Sequence, residues 1–403
     1  MTASPGKPRV LIIVENLPCP FDRRVWQEAK ALVSDGHQVC IVCPKGRGFG
    51  KSYELLEGIH IYRHSLPVEA DSALGYGLEY AIALFMEFSL ALRIALTRGF
   101  DVIHGCNPPD TIFLIARFFK LFGKRFVFDH HDINPELYEA KFQRQDRWYR
   151  LLRRLERWTF DTADVSIATN ESYRRIAIER GGMDPDRVFV VRSGADLTRV
   201  KLTPPRPELR QGRRYLVGYV GVIGKQEGID LLLEAAAHLR NDLGRTDVQF
   251  VIVGSGTEVA ALEQMSERLG ISDHVEFAGR LPDKELWEVL STADVCVNPD
   301  RANEMNDKST MNKILEYMAL GKPIVQFDLT EGRVSAGEAS LYAAPNDTGD
   351  FARKLSELLD DPERRRAMGE IGRKRVEQDL AWHHQIPHLL AAYARLETTT
   401  ARS

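Results

Sequence analysis

The sequence predicts an α/β protein made of two doubly wound domains. Short apolar runs alternate with helical patterns from Arg9 onward, the alternation breaks at a proline-rich stretch, and it then begins again. Alternating strands and helices imply a parallel sheet covered on both faces. The length, 403 residues, suits two such domains at ~100–200 residues each.

Arg9–Val14 reads as a buried strand, and Val25–Ser34 as a helix stopped by Gly36. Gln38–Val42, Asp101–Gly105, Arg125–Asp129, Val165–Ala168 and Val188–Val191 read as further strands. Lys201–Gly212, KLTPPRPELRQG, carries three prolines and no periodicity, which marks a linker. The pattern resumes with strand Tyr215–Val220, helix Ile229–Arg240, strand Gln249–Val253 and helix Val259–Leu269. His274–Phe277, Val295–Val297 and Pro323–Gln326 read as strands, Lys313–Leu320 as a helix closing on Gly321, and Gly349–Leu396 as largely helical. The expected division is 1–200, a linker over 201–212, a second domain over 213–378, and a last helix, 379–403, returning to the first domain. Ligands of such sheets bind at the carboxyl ends of the strands, which places the expected site in the cleft between the domains.

Charge narrows the partners. The net charge of −3 excludes a polycation built for nucleic acid. Residues 1–200 hold 28 basic and 25 acidic side chains, and residues 201–403 hold 26 and 32, so the first half is the one suited to an anionic partner. Met1 to Arg9 lacks a secretory pattern, and Leu74–Leu96, the most apolar stretch, is interrupted by Glu79, Glu87 and Arg93, so no span is expected. The cysteines Cys19, Cys40, Cys43, Cys106 and Cys296 are sparse and odd in number. That usage suits a reducing cytoplasm, with buried thiols rather than a metal or redox site.

The chemistry-bearing motifs are individually weak. Gly221–Gly228, GVIGKQEG, follows a strand and opens a helix, as a phosphate-approaching loop does, but also as a plain strand–helix turn does. Gln226 after Lys225 rules out a Walker loop. Asn298–Pro323 places Ser309 and Thr310 as candidate N-terminal residues of a helix, whose N–H groups suit a phosphate. That helix carries Glu316 among Ile314, Leu315, Met318 and Leu320. A half-buried carboxylate needs a partner, and the adjacent hydroxyls of a ribose would satisfy both oxygens.

Taken in order, PRVLIIVENLPCPFDRRVWQEAKALVSDGHQV, RFVFDHHDINPELY, ADVSIATNESYRR, GYVGVIGKQEGIDLLLEAA, FVIVGSGTE, VEFAGRLPDKEL and ILEYMALGKPIV cover nearly the whole chain. This order and spacing resembles the family 4 retaining glycosyltransferases of GT-B architecture, and among them bacterial enzymes of surface polysaccharide synthesis. The resemblance implies a nucleotide-sugar donor, UDP- or GDP-linked, a lipid-linked or saccharide acceptor, no nucleic acid, and no metal or other cofactor. His131 matches the acceptor-side histidine and Glu316 the ribose-holding glutamate. Gly224 and Lys225 fall in the diphosphate loop, and Arg280 and Leu281 in the turn beside the base. Asp22, Arg23 and Asp132 are the expected acceptor-side residues.

The sequence departs from the family where its first glutamate belongs. Lys308 stands there, and Val222 and Glu227 replace the loop cations. Lys225, Lys308 and Lys313 together would then neutralise the leaving diphosphate, with His131 and Lys308 as the catalytic residues. Two rivals stay open, a nucleotide-sugar 2-epimerase on the same architecture and a decayed binding or scaffold protein.

Over Arg144–Trp158, the residues Trp148, Leu151, Leu152, Leu155 and Trp158 recur at helical spacing among Arg147, Arg150, Arg153, Arg154 and Arg157. An ordinary domain helix with a solvated basic face has this pattern. So does a helix on an anionic membrane, with Arg147, Arg150, Arg154 and Arg157 facing the lipid. Ala116–Phe126 extends the basic and aromatic character. The expected location is cytoplasmic, peripheral at the inner face of the membrane.

Overall fold

A computed structural model of the chain describes residues 7–46, 48–65 and 73–400. The first six residues, which belong to the Met1–Arg9 stretch without a secretory pattern, lie outside that set. The chain divides into two units. One comprises Met1–Arg192 with Gln385–Ser403, and the other Ser193–His384.

The first unit is built on strands β1 (Arg9–Val14), β2 (Gln38–Pro44), β3 (Tyr53–Leu56), β4 (Ile59–His64), β5 (Val102–Cys106), β6 (Arg125–His130), β7 (Val165–Ala168) and β8 (Val188–Val190). Their order in the sheet is β3-β4-β2-β1-β5-β6-β7-β8. All neighbours pair parallel except β3 with β4. The second unit uses β9 (Tyr215–Val220), β10 (Val248–Val253), β11 (Val275–Gly279), β12 (Val295–Asn298), β13 (Ile324–Phe327) and β14 (Ser340–Ala343), ordered β11-β10-β9-β12-β13-β14 and parallel throughout.

β1 is buried from Val10 to Val14 and β10 along its whole length, which is why both read as largely apolar runs rather than alternating ones. In the second unit Val217, Tyr219, Phe250 and Ile252 face one layer, and Leu216, Val251, Cys296 and Ile324 the other. All five cysteines are buried and unbonded to one another.

Three features depart from the sequence reading. The β3–β4 hairpin and β14 are additional strands; β3 is short and half-exposed, so its apolar signal is weak. The 201–212 stretch is docked on the second unit rather than free. Thr203 N donates to Ser291 at 3.1 Å, Arg206 N to Thr292 at 2.8 Å, and Arg210 pairs with Asp294. The crossover instead falls at Arg192/Ser193, with the returning chain alongside. Trp382 N donates to Ala195 O at 3.1 Å, and Arg192 N to Gln385 Oε1 at 3.1 Å. The third is helix Ala73–Thr97, which over Tyr80–Thr97 is long and apolar enough to cross a membrane. It packs on β2 and β4 with Glu87 fully buried.

Gly194 allows the two passes of chain to touch. A Cβ there would stand 2.5 Å from the Trp382 backbone. Gly194→Val should therefore destabilise the protein by roughly 1–3 kcal/mol through overpacking. A melting temperature equal to that of the parent would show that the crossing has room to spare.

Candidate functional site

In the first unit the candidate groups gather where β5 and β6 end, beside the helix Arg23–Ser34 that follows β1. Asp22 caps that helix, its carboxylate accepting from Val25 N at 3.1 Å. Arg23 is exposed. The next residue, Arg24, is the one that turns inward. Its guanidinium meets Asp129 at 2.9 Å, Glu28 at 3.0 Å and the Val191 carbonyl at 2.8 Å. Asp129 is fully buried, and its other oxygen lies 2.5 Å from His131 Nε2 and 3.3 Å from His104 Nε2. Burial alone would raise the Asp129 carboxyl, but Arg24 and His131 hold it well below the usual range. His104 Nδ1 reaches the Tyr393 hydroxyl at 2.8 Å, which ties the C-terminal helix into the same network.

The tandem histidines separate. His130 is fully buried among Phe128, Phe160 and Tyr173, and burial pushes it down to about 3, so it is a neutral core ring. His131 is partly exposed, and its backbone N–H donates to Asn107 Oδ1 at 2.7 Å. The same oxygen accepts from Asp132 N at 3.1 Å, so one buried amide shapes the turn. Arg24 Nε lies 3.0 Å from His131 Nε2. One nitrogen cannot both donate to Asp129 and accept from Arg24. The two contacts compete for the one position on Nε2 and hold the ring between the guanidinium and the carboxylate. Asp132 beside them is raised by burial.

Two groups here have metal-ligand types, His104 with Cys106 and Asp129, and Glu28 with Asp129 and His131. The Arg24 guanidinium already contacts both Glu28 and Asp129, so the shared carboxylate has a resident cation. A divalent ion would have to displace it.

In the second unit three loops lock together at the carboxyl ends of β9, β10 and β12. A Cβ on Gly254 would stand 1.8 Å from Gly221 O, one on Gly256 2.1 Å from Ile223 O, and one on Gly228, at φ +65°, 2.0 Å from Pro299 O. Backbone packs on backbone at all three places, which only glycine permits. Asn306, buried and unremarked in the sequence, pins the assembly by donating to Gln226 O and Arg301 O, both at 2.8 Å. Lys225 projects from the loop and is exposed, with Gly224 before it. Arg280 is exposed, while Leu281 packs on the core.

Two of the three cations expected to act together have carboxylate partners. Lys313 is buried beneath the loop, with Nζ 2.8 Å from Asp300, 3.0 Å from Glu227 and 3.5 Å from the Tyr219 hydroxyl. Its charge is balanced by two carboxylates, so it supports the loop rather than presenting a cation. Lys308 ends a short helix, Glu304–Lys308, and pairs with Glu304 one turn back. Ser309 and Thr310 precede rather than begin the next helix, which spans Asn312–Ala319; Ser309 Oγ donates back to Met305 O at 2.7 Å. Ser309 thus belongs to the end of the preceding helix, and the next helix begins one residue before the expected Lys313. Glu316 lies half-buried on that helix.

Comparisons with known proteins agree across both units. Residues 22–199 match Glycosyltransferase Family 4, and residues 203–375 match Glycosyl transferases group 1. The chain belongs to the family 4 glycosyltransferases. The 2-deoxystreptamine glucosyltransferase of Streptomyces kanamyceticus is 29% identical over 258 residues, 61% of this chain and 64% of that enzyme. The chain thus spans under two thirds of that relative's length. Sucrose-phosphate synthase from Thermosynechococcus elongatus superposes with a TM-score of 0.78 at 19% identity, covering 98% of this chain and all of the other. Anabaena HepE in complex with UDP superposes at 0.70 with 17% identity over 98% of this chain and all of the other. These neighbours give the fold, GT-B.

The Asp300 carboxyl is pushed up to about 7 by burial, against the pull of Lys313 and with the repulsion of Glu227. A raised folded pKa gives stability that is complete below the unfolded value, near 4, and is lost as pH rises through 7. Melting curves should therefore show the parent losing stability relative to Asp300→Asn between pH 4 and pH 7, and no further relative change above pH 8. Parallel curves over the whole range would mean that Asp300 is ionised throughout.

Proposed function

We propose that the chain is a retaining glycosyltransferase moving a sugar from a UDP- or GDP-linked donor to a lipid-linked or saccharide acceptor, in the building of a surface polysaccharide. The observation that carries this reading is the locked loop system of the second unit. Gly221–Gly228 opens the 13-residue helix Ile229–Asn241, with Asp230 in its first turn already paired to Arg301. Backbone N–H groups at such a terminus favour a phosphate, and glycines let it approach. The UDP bound by HepE and the glucosyl transfer named for the Streptomyces relative both support a nucleotide-sugar donor.

The chemistry follows from charge. Cleavage of the sugar–phosphate bond leaves a diphosphate of growing negative charge. Donors placed in advance stabilise that charge by a few kcal/mol each. Lys225 and the loop N–H groups do so in this reading, while Lys313 keeps the loop in place. Retention follows when the leaving phosphate oxygen takes the acceptor proton on the same face, and no protein nucleophile is needed. His131, held between Asp129 and Arg24, serves as an oriented acceptor-side group. Lys308 occupies the place of a family glutamate, so measured turnover of a nucleotide-sugar is the direct test against a decayed site.

Two variants test the assignment. Glu316→Ala should weaken UDP or GDP binding by about 10–100-fold in calorimetry, the loss of a two-oxygen ribose acceptor. Unchanged affinity would remove Glu316 from the nucleotide site. His131→Ala should lower kcat by about 100-fold while leaving nucleotide affinity within about twofold. A loss of affinity with normal kcat would place His131 in binding instead.

A further inference from the structure

The first unit leaves an apolar surface uncovered on three neighbouring helices. On Ala73–Thr97, Phe85, Leu92 and Leu96 recur at intervals of seven and four, which sets them on one face. They are 70%, 39% and 80% exposed. From Tyr80 to Thr97 the helix has one acid, Glu87, and it faces inward. Over Tyr80–Thr97 the outer face therefore carries no acidic side chain.

The second helix, Phe113–Lys120, continues the surface. Leu114, Phe118, Leu121 and Phe122 are exposed on it and on the turn that follows. Phe88 and Phe118 stack edge to face at 5.0 Å, so the two helices share the patch. The third helix, Arg147–Thr162, joins through Phe113 and Trp158, 6.2 Å apart, and through Arg117 Nε, which donates to Thr162 at 3.0 Å. Trp148, Leu151 and Trp158 are exposed there, and its buried residues are Glu156, Thr159, Phe160 and Thr162.

Cations border this surface. Arg93, Arg117, Arg150, Arg153 and Arg154 are exposed beside the apolar side chains. The nearby acids are already paired, Asp164 with Lys120 and Asp161 with Arg157. An apolar surface bordered by unbalanced positive charge matches one partner in both respects, the interface of an anionic bilayer.

We propose that this three-helix face docks on an anionic membrane, with Phe85, Leu96, Leu121 and Phe122 entering the acyl boundary and the arginines contacting headgroups. The helix Ala73–Thr97 lies in the plane of the interface and does not span it, because its inner face and Glu87 belong to the domain core. Insertion by apolar side chains distinguishes this docking from purely electrostatic adsorption. Adsorption is lost at high salt, whereas insertion survives screening in part.

The experiment is flotation of the full chain with vesicles of phosphatidylcholine, with and without phosphatidylglycerol, at low and high salt. Binding is expected with phosphatidylglycerol, weakened but not abolished by high salt. Phe85→Asp with Leu121→Asp should weaken it about 100-fold, and Arg150→Gln with Arg154→Gln should remove most of its salt dependence. Unchanged thermal melting checks that the variants fold, and vesicle binding is read without reference to sugar transfer. Absence of binding to either vesicle, or unaltered binding by the aspartate variant, would overturn the proposal. So would a stable dimer in solution that the aspartate variant converts to monomer, since the face would then be an interface between copies.

Discussion

A parallel strand cannot turn straight back to its neighbour; the chain must cross the sheet before the next strand begins. Everything functional in this molecule depends on that constraint. It sends the carboxyl end of nearly every strand in a sheet to the same edge, and the loops that leave those ends meet there. In the first unit the residues after β5 and β6 thus come beside Arg24, which leads in from β1. In the second, the loops after β9, β10 and β12 meet so closely that glycine is required at Gly228, Gly254 and Gly256.

Both meeting points are organised by the same electrostatic device. A buried cation sits between two carboxylates: Arg24 between Glu28 and Asp129, and Lys313 between Glu227 and Asp300. Two carboxylates against one cation leave an excess negative charge, which is costly away from water. In each trio one carboxyl is pushed up, Glu28 by burial and Asp300 to about 7 by burial, so a proton removes the excess. The cations therefore fix geometry and are not available to a ligand. Removing either one would leave buried carboxylates facing each other, a larger loss than the ion pair itself contributes.

The sequence revealed the layout better than the site. Strands buried on both faces announce themselves as apolar runs, and all the central ones were legible. The β3–β4 hairpin was not, because Tyr53–Leu56 is half-exposed and alternates too briefly. The proline-rich 201–212 stretch looked like a linker because composition records the absence of periodicity and not the hydrogen bonds to Ser291 and Thr292. Among candidate site residues, family pattern singled out His131 and the Gly221–Gly228 loop. It could not show that Arg24 rather than Arg23 turns inward, since helix phase decides that. Asn306, Asn107 and Tyr393 were invisible because each acts by pairing with groups distant in the chain. Apolar spacing in Arg147–Thr162 was readable, but which side meets the core is fixed by neighbours, and the structure leaves Trp148, Leu151 and Trp158 largely outside.

The charge pattern of the diphosphate loop makes sense once Lys313 is placed. A family cation position in the loop is occupied by Glu227, which taken alone would repel a phosphate. In the structure Glu227 faces Lys313 at 3.0 Å, beneath the loop and beside Tyr219, so the cation comes from the later helix and the acid from the loop. The pair cancels the acid beneath the loop. In the proposed function, anion affinity then rests on Lys225 and on backbone N–H groups. Backbone donors are fixed by glycine contacts that cannot relax, whereas a long side chain has to be ordered on binding. On that reading, a loop that has exchanged a flexible cation for a buried strut is preorganised for a phosphate, despite carrying an acid where the family carries a base.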